Sequence, residues 1–123
     1  MKPTCIVIDD DKAITELFKD VLDIIGLDVV GIGYDGDNAV ELYEKHKPDV
    51  VFTDIMMPGN DGFYAVKKIR EINPHSKIIA VTADLSDETT KKLIDMKITA
   101  IIHKPFDING IKKILVEKLQ FEI

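Results

Sequence analysis

Five short apolar runs, four of them closed by a polar residue and each followed by a stretch of helical periodicity, constrain this chain more than any other feature. The runs fall at residues 4–8, 27–32, 50–53, 77–81 and 99–103. Most are continuous rather than alternating, the mark of strands covered on both faces. Between them, apolar residues recur at three- and four-residue spacing. Ile14, Leu17, Phe18, Val21, Leu22 and Ile25 form one such face, entered at Asp11 or Lys12 and stopped at Gly26. Ala39, Val40 and Tyr43 mark a second helix over 37–47, ended by Pro48, and Val66 and Ile69 a third over 63–72, stopped at Asn73-Pro74. Ser86 caps a fourth helix whose apolar stripe is thin, so it is expected to be the loosest. Asp107 caps the last, which carries Ile108, Ile111, Ile114, Leu115 and Leu119.

Strands alternating with helices define an α/β fold: a five-stranded parallel sheet, doubly wound, with five helices on its two faces. Right-handed crossovers leave few strand orders, and the flavodoxin-like order 2-1-3-4-5 is the common one at this length. One domain over 1–123 is expected. In that order the first and third strands are neighbours. Asp9, Asp10 and Asp54 then converge at the switch point, joined by Thr82 and Lys104 from the next two strands.

The balance of the chain narrows what such a site serves. A formal net charge of -6 with no basic run argues against a nucleic-acid surface. No run approaches the roughly 20 apolar residues of a membrane span, and Asp9, Asp10 and Asp11 interrupt the N-terminal run too early for a signal peptide. Cys5, the one cysteine, lies in an apolar run and reads as core, which fits a cytoplasmic setting. His46, His75 and His103 are not at ligand spacing, and alternation turns His103 away from Lys104.

Three carboxylates in one crevice resist ionising together unless a cation is near. A hard divalent ion answers this, and Mg2+ suits one or two carboxylates with water and a phosphate. Lys104 adds a mobile positive charge and Thr82 a hydroxyl donor. Metal, lysine and hydroxyl are what phosphoryl transfer needs around its equatorial oxygens, and Asp54 can serve as nucleophile to form an acyl phosphate.

Taken in order, these residues carry a family resemblance. Asp9-Asp10 after the first strand, Asp54 with Met57-Pro58 and Asp61-Gly62 behind it, Thr82-Ala83 and Lys104-Pro105-Phe106 together resemble the receiver domain of a two-component response regulator, similar to single-domain chemotaxis and sporulation regulators. The resemblance implies that Asp54 takes a phosphoryl group from a phosphohistidine on a sensor histidine kinase or phosphotransfer protein. It implies Mg2+ held by Asp10, Asp54 and the backbone carbonyl of Met56, with Asp9 acting through water. Lys104 would pair with phosphoryl oxygens before a cis bond to Pro105. Thr82 would swing toward the phosphoryl group and reshape the surface of helix four, strand five and helix five for a downstream protein, with homodimerisation an added expectation. Such a chain is a switch rather than an enzyme. The alternatives are a phosphorelay intermediate and a Mg2+-dependent phosphatase with an aspartyl nucleophile. Against the latter, Met56 stands where that chemistry needs a general-acid carboxylate.

Several positions depart from the resemblance or sharpen it. Ile101 stands where the family has an aromatic switch residue, and Met96-Lys97-Ile98 replaces a small-residue helix exit. Met56 and Asp84 occupy positions that, by the resemblance, tune phosphoryl lifetime in that family; Met56 is expected to shield the acyl phosphate and Asp84 to orient or repel the attacking water. Ile101, Ile108 and one of Ile114 and Val116 are expected to form an apolar exit patch, and Phe121-Glu122-Ile123 either packs on the body or continues into a longer chain. Gly31-Ile32-Gly33-Tyr34-Asp35-Gly36 matches a dinucleotide fingerprint, with Asp54 an acid near the expected separation. Its strand lies at the sheet edge, away from the switch point, so the glycines are read as a twisted strand end and an easy entry to helix two.

Overall fold

The computed structural model describes residues 2–84 and 86–121. Strands β1 (Thr4–Ile8), β2 (Asp28–Gly33), β3 (Val50–Thr53), β4 (Ile78–Thr82) and β5 (Ala100–His103) alternate with helices α1 (Lys12–Ile25), α2 (Gly36–His46), α3 (Gly62–Ile72), α4 (Asp87–Asp95) and α5 (Ile108–Leu119). The sheet runs β2-β1-β3-β4-β5 and every pair is parallel, as expected.

Strand alternation sorts the core into two layers. Cys5, Val7, Phe52, Ile79, Val81 and Ile102 face α1 and α5, where they meet Phe18, Leu22, Ile111 and Leu115. Phe18 sits at the centre, 5.1 Å from Phe52 and 4.7 Å from Phe106 between ring centroids. Ile6, Ile8, Val51 and Ile78 face the other way, against Ala39, Tyr43, Ala65, Val66 and Ile69 of α2 and α3. A smaller cluster of Ile55, Ala80 and Leu93 lies under α4. Leu93 and Thr89 are the only buried residues of that helix, so its thin stripe is confirmed.

Each helix opens on a side chain that accepts from its first turn: Asp11, Asp35, Asp61, Ser86 and Asp107. These caps correct some boundaries. Helix α2 starts at Gly36 and stops at His46, because Asp35 caps it and Lys47 turns left-handed (φ 43°). Helix α3 starts at Gly62; β2 runs on to Gly33, while β4 and β5 each begin a residue later than expected. Leu17 is 53% exposed rather than buried, because the inward stripe of α1 runs through Thr15, Phe18, Leu22 and Ile25. Val40 is half-buried, and Val116 is the exposed member of the Ile114–Val116 pair. Phe121 packs against the core; Glu122 and Ile123 lie outside the described residues.

Candidate functional site

Hydrogen bonding beyond the strand ends fixes where the acids stand. The Asp54 backbone N–H donates to the Ile8 carbonyl (2.8 Å), and that of Asp9 to the Gly33 carbonyl (3.1 Å). One carboxylate oxygen each from Asp9, Asp10 and Asp54 thereby lie within 4.8 Å of one another. Asp9 and Asp54 are buried and Asp10 is exposed on the rim. Lys104 enters from the end of β5, its backbone N–H held by the Thr82 carbonyl at 2.9 Å. Its ammonium reaches Asp9 Oδ2 at 2.6 Å and Asp54 Oδ2 at 3.3 Å. The other oxygens are also used: Asp54 Oδ1 accepts from the Ile55 N–H (2.7 Å), and Asp9 Oδ1 from the Asp11 N–H (2.9 Å). The bond between Lys104 and Pro105 is cis.

Burial raises the Asp54 pKa above the ordinary carboxylate value; Lys104 opposes this, and Asp9 adds to it. For Lys104, burial pulls the pKa down, but the hydrogen bond to Asp9 and the charges of Asp54 and Asp9 outweigh it, so the ammonium is held more firmly than usual. The crevice is thus anionic and short of positive charge. Its donor set is entirely hard oxygen, which fits a divalent ion such as Mg2+ better than any soft metal.

The loop after Asp54 is clamped by two close approaches. A Cβ on Gly62 would run into the Asp54 carbonyl oxygen and the Ile55 Cα, and one on Gly36 would meet the Asn60 and Asp61 carbonyls at 2.7 Å. The Gly36 N–H donates to the Asn60 carbonyl at 2.6 Å, and the Asn60 amide reaches Asp37 at 3.0 Å. Gly36 therefore braces the acidic loop, which was not foreseen, while Gly31 and Gly33 lie closely packed under Leu42 and Asn38. Met56 points outward from this loop, 59% exposed, and Met57 is buried.

Thr82 is buried at the end of β4, where its hydroxyl oxygen accepts from the Asp84 N–H at 3.0 Å. The Asp84 carboxylate faces α4, accepting from the Ser86 N–H (2.8 Å) and the Thr89 hydroxyl (2.6 Å). These bonds, that of Thr89 foremost, hold its pKa below the ordinary value. Ile101 is half-buried and packs on the cluster beneath α4, and His103 points outward. Sequence reasoning missed a groove of about 340 Å3 beside Lys104, lined by Ile14, Leu17, Ala83, Pro105 and Phe106. The signal was there: the apolar arc of α1 is wider than one sheet-facing stripe needs.

The family model described as "Response regulator receiver domain" matches residues 5–116, and the chain belongs to that family. The chain is similar to the chemotaxis protein CheY of Thermotoga maritima, with 35% identity over 101 residues covering 82% of this chain and 84% of that protein. It is also 29% identical over 121 residues to a probable C4-dicarboxylate response regulator, DctR, of Priestia megaterium. That match covers 98% of this chain and 53% of the relative, so the chain spans about half of that protein's length. Among solved structures, a chain of the CheX-CheY-BeF3-Mg2+ complex of Borrelia burgdorferi superposes with a TM-score of 0.89 at 21% identity, covering 97% of this chain and 90% of that one, a likeness of fold.

Proposed function

We propose that residues 1–123 act as a phosphoacceptor switch in which Asp54 takes a phosphoryl group from a phosphohistidine of a sensor histidine kinase or phosphotransfer protein. The observation that carries this reading is the buried Asp54 carboxylate, 3.3 Å from the Lys104 ammonium inside the acidic cluster. A carboxylate oxygen of Asp54 bonds to phosphorus as the P–N bond to imidazole breaks and the imidazole leaves with the electron pair. Asp9, Asp10, Asp54 and the Met56 carbonyl would hold Mg2+, which when bound supplies the charge that steadies phosphoryl oxygens. Lys104 turns from the carboxylates toward the transferred group, and the clamped loop keeps Asp54 in place. Thr82 supplies a hydroxyl to the phosphoryl group.

The donor must bring its histidine to Asp54, so the surface bordering the crevice is its contact. The apolar groove at Leu17 and Phe106 suits that protein. The output face is α4, β5 and α5, where Ile94 (62% exposed), Ile101 and Val116 (45%) offer apolar surface to a downstream protein or a second copy. This role is that of a cytoplasmic signalling protein rather than an enzyme turning over a substrate. The phosphatase alternative lacks support, since the residue two beyond Asp54 is an exposed methionine.

Intact mass spectrometry after incubation with Mg2+ and acetyl phosphate tests the reading. The expected result is one added phosphoryl group, absent in Asp54→Asn and absent without metal. If neither an adduct nor Mg2+-dependent beryllofluoride binding is seen, the reading is wrong.

A further inference from the structure

A continuous run of hydrogen bonds leads from the buried end of β4 into the first turn of α4. Thr82 Oγ1 accepts from the Asp84 N–H (3.0 Å), and Asp84 Oδ2 accepts from the Thr89 hydroxyl (2.6 Å). Asp84 Oδ1 takes the Ser86 N–H (2.8 Å), and Ser86 Oγ takes the Thr89 N–H (3.2 Å). Thr89 is only 8% exposed, and with Leu93 it is the buried side of its helix. Both oxygens of Asp84 are therefore bonded to α4 or its N-cap.

From this geometry we infer that Asp84 is a positioning residue that ties Thr82 to α4 and sets how readily Thr82 can leave for the phosphoryl group. The inference rests on the phosphoacceptor reading. When the Thr82 hydroxyl turns toward Asp54, the Asp84 N–H loses its acceptor, a loss that movement of residue 84 would relieve. Two bonds from its carboxylate to the start of α4 resist that movement. Helix α4 has little buried surface of its own to hold it. The same two bonds therefore restrain Thr82 and anchor the helix, and releasing one releases the other. This account differs from direct action of Asp84 on the attacking water, because it runs through Thr89, a buried residue of α4 whose hydroxyl bonds Asp84.

Thr89 separates the two accounts. Thr89→Val keeps the shape of the side chain and leaves Asp84 charged, but removes the hydroxyl donor; Thr89→Ser keeps the donor. Beryllofluoride is titrated with Mg2+ into the full chain by calorimetry, alongside hydrogen exchange of the α4 amides without the mimic. The expected result is faster exchange at the start of α4, and beryllofluoride binding roughly threefold to tenfold tighter, in both Thr89→Val and Asp84→Ala, the worth of one modest hydrogen bond. The double variant should go no further than either single one, and Thr89→Ser should behave as wild type. If Thr89→Val matches wild type while Asp84→Ala alone changes the dephosphorylation rate, Asp84 acts on the water and the tie is overturned. Independent, additive effects would overturn it as well. A wild-type protein that takes up no beryllofluoride sinks the phosphoacceptor reading and the coupling together, whereas uptake in wild type with no response to Thr89→Val sinks the coupling alone.

Discussion

Asp54 is held in a position that opposes its own charge. It lies buried beside a second buried carboxylate, and the one lysine within reach is shared with Asp9 at the shorter distance of 2.6 Å. Burial raises its pKa first, Lys104 restores part of the loss, and Asp9 adds to the rise. The sign follows from linkage. With the folded pKa above the unfolded one, the native state binds more protons between the two values, so metal-free stability falls as pH rises through the folded titration of Asp54. Lys104 follows the same sign at higher pH: its pKa is raised, so its contribution is complete below the ordinary lysine value and is lost only as pH rises through the folded one. Asp54→Asn keeps an acceptor for the Ile55 N–H and removes the ionisation. In EDTA near neutral pH it should raise the thermal midpoint by a few degrees and flatten the acid-to-neutral slope. Adding Mg2+ should reverse the ranking, because only the wild type gains binding energy from the ion. Calorimetric melting curves of both proteins with and without Mg2+ check this; a variant that melts below wild type in EDTA would mean that Lys104 outweighs burial.

Helix ends show why some of this structure could be read from the chain and some could not. Four of the five N-caps are aspartates and the fifth is Ser86, each bonding a backbone N–H two or three residues on. Such a cap is a local interaction, so residue type and spacing reveal it. The convergence of Asp9, Asp54 and Lys104 was readable for a related reason, since right-handed crossovers leave few strand orders and parallel strands bring their polar C-terminal residues to one edge. The C-terminal ends are less open to reading. Gly26 stops α1 as expected, but α2, α4 and α5 are followed by Lys47, Lys97 and Gln120 at positive φ, where the sequence offers no glycine signal. At Lys97 the reason is tertiary. Arg70 reaches from α3 to the Lys97 carbonyl at 3.2 Å and the Thr99 hydroxyl at 3.4 Å, and the Ile98 N–H returns to the Leu93 carbonyl. Long-range ties of this kind leave no local pattern, and the same is true of which edge of the α1 arc faces outward. Lys97→Gly removes a left-handed penalty of about 1–2 kcal/mol against a glycine entropy cost of roughly 0.5–1 kcal/mol. The backbone carbonyl that Arg70 uses survives the change. Urea unfolding should therefore show a gain of about 0.5–1 kcal/mol with an unchanged slope; no gain would mean that the Arg70 tie already relieves the strain.

Across the whole molecule, the sheet separates chemistry from its foundation. The acidic cluster and Lys104 occupy the C-terminal strand ends, while Cys5 sits near the start of β1, fully buried between Val29 and Val50 of the flanking strands. Burial, with smaller help from Asp23, Asp28 and Asp49, pushes its thiol up to about 12. Thiolate is the reacting form, so the native protein should resist alkylation twice over, by access and by protonation. The thiol becomes reactive only in conformations that open the α1–α5 side of the core, and its labelling rate reads their population. That links the far end of the sheet to the site. Beryllofluoride with Mg2+ at a hundredfold excess over its Kd should slow labelling about 100-fold if Cys5 is exposed only by global unfolding, because the ligand then stabilises the closed state against the reactive one. Local fraying of β1 and α1 would leave the rate almost unchanged, since the ligand would remain bound in the open form. Global opening is expected here, because the side chains covering Cys5 belong to the same cluster as Phe18 and Phe52, which spans both halves of the sheet. Labelling followed by intact mass, with ligand and without, decides between the two, and a rate that ignores saturating ligand would place the weak point of the fold at β1.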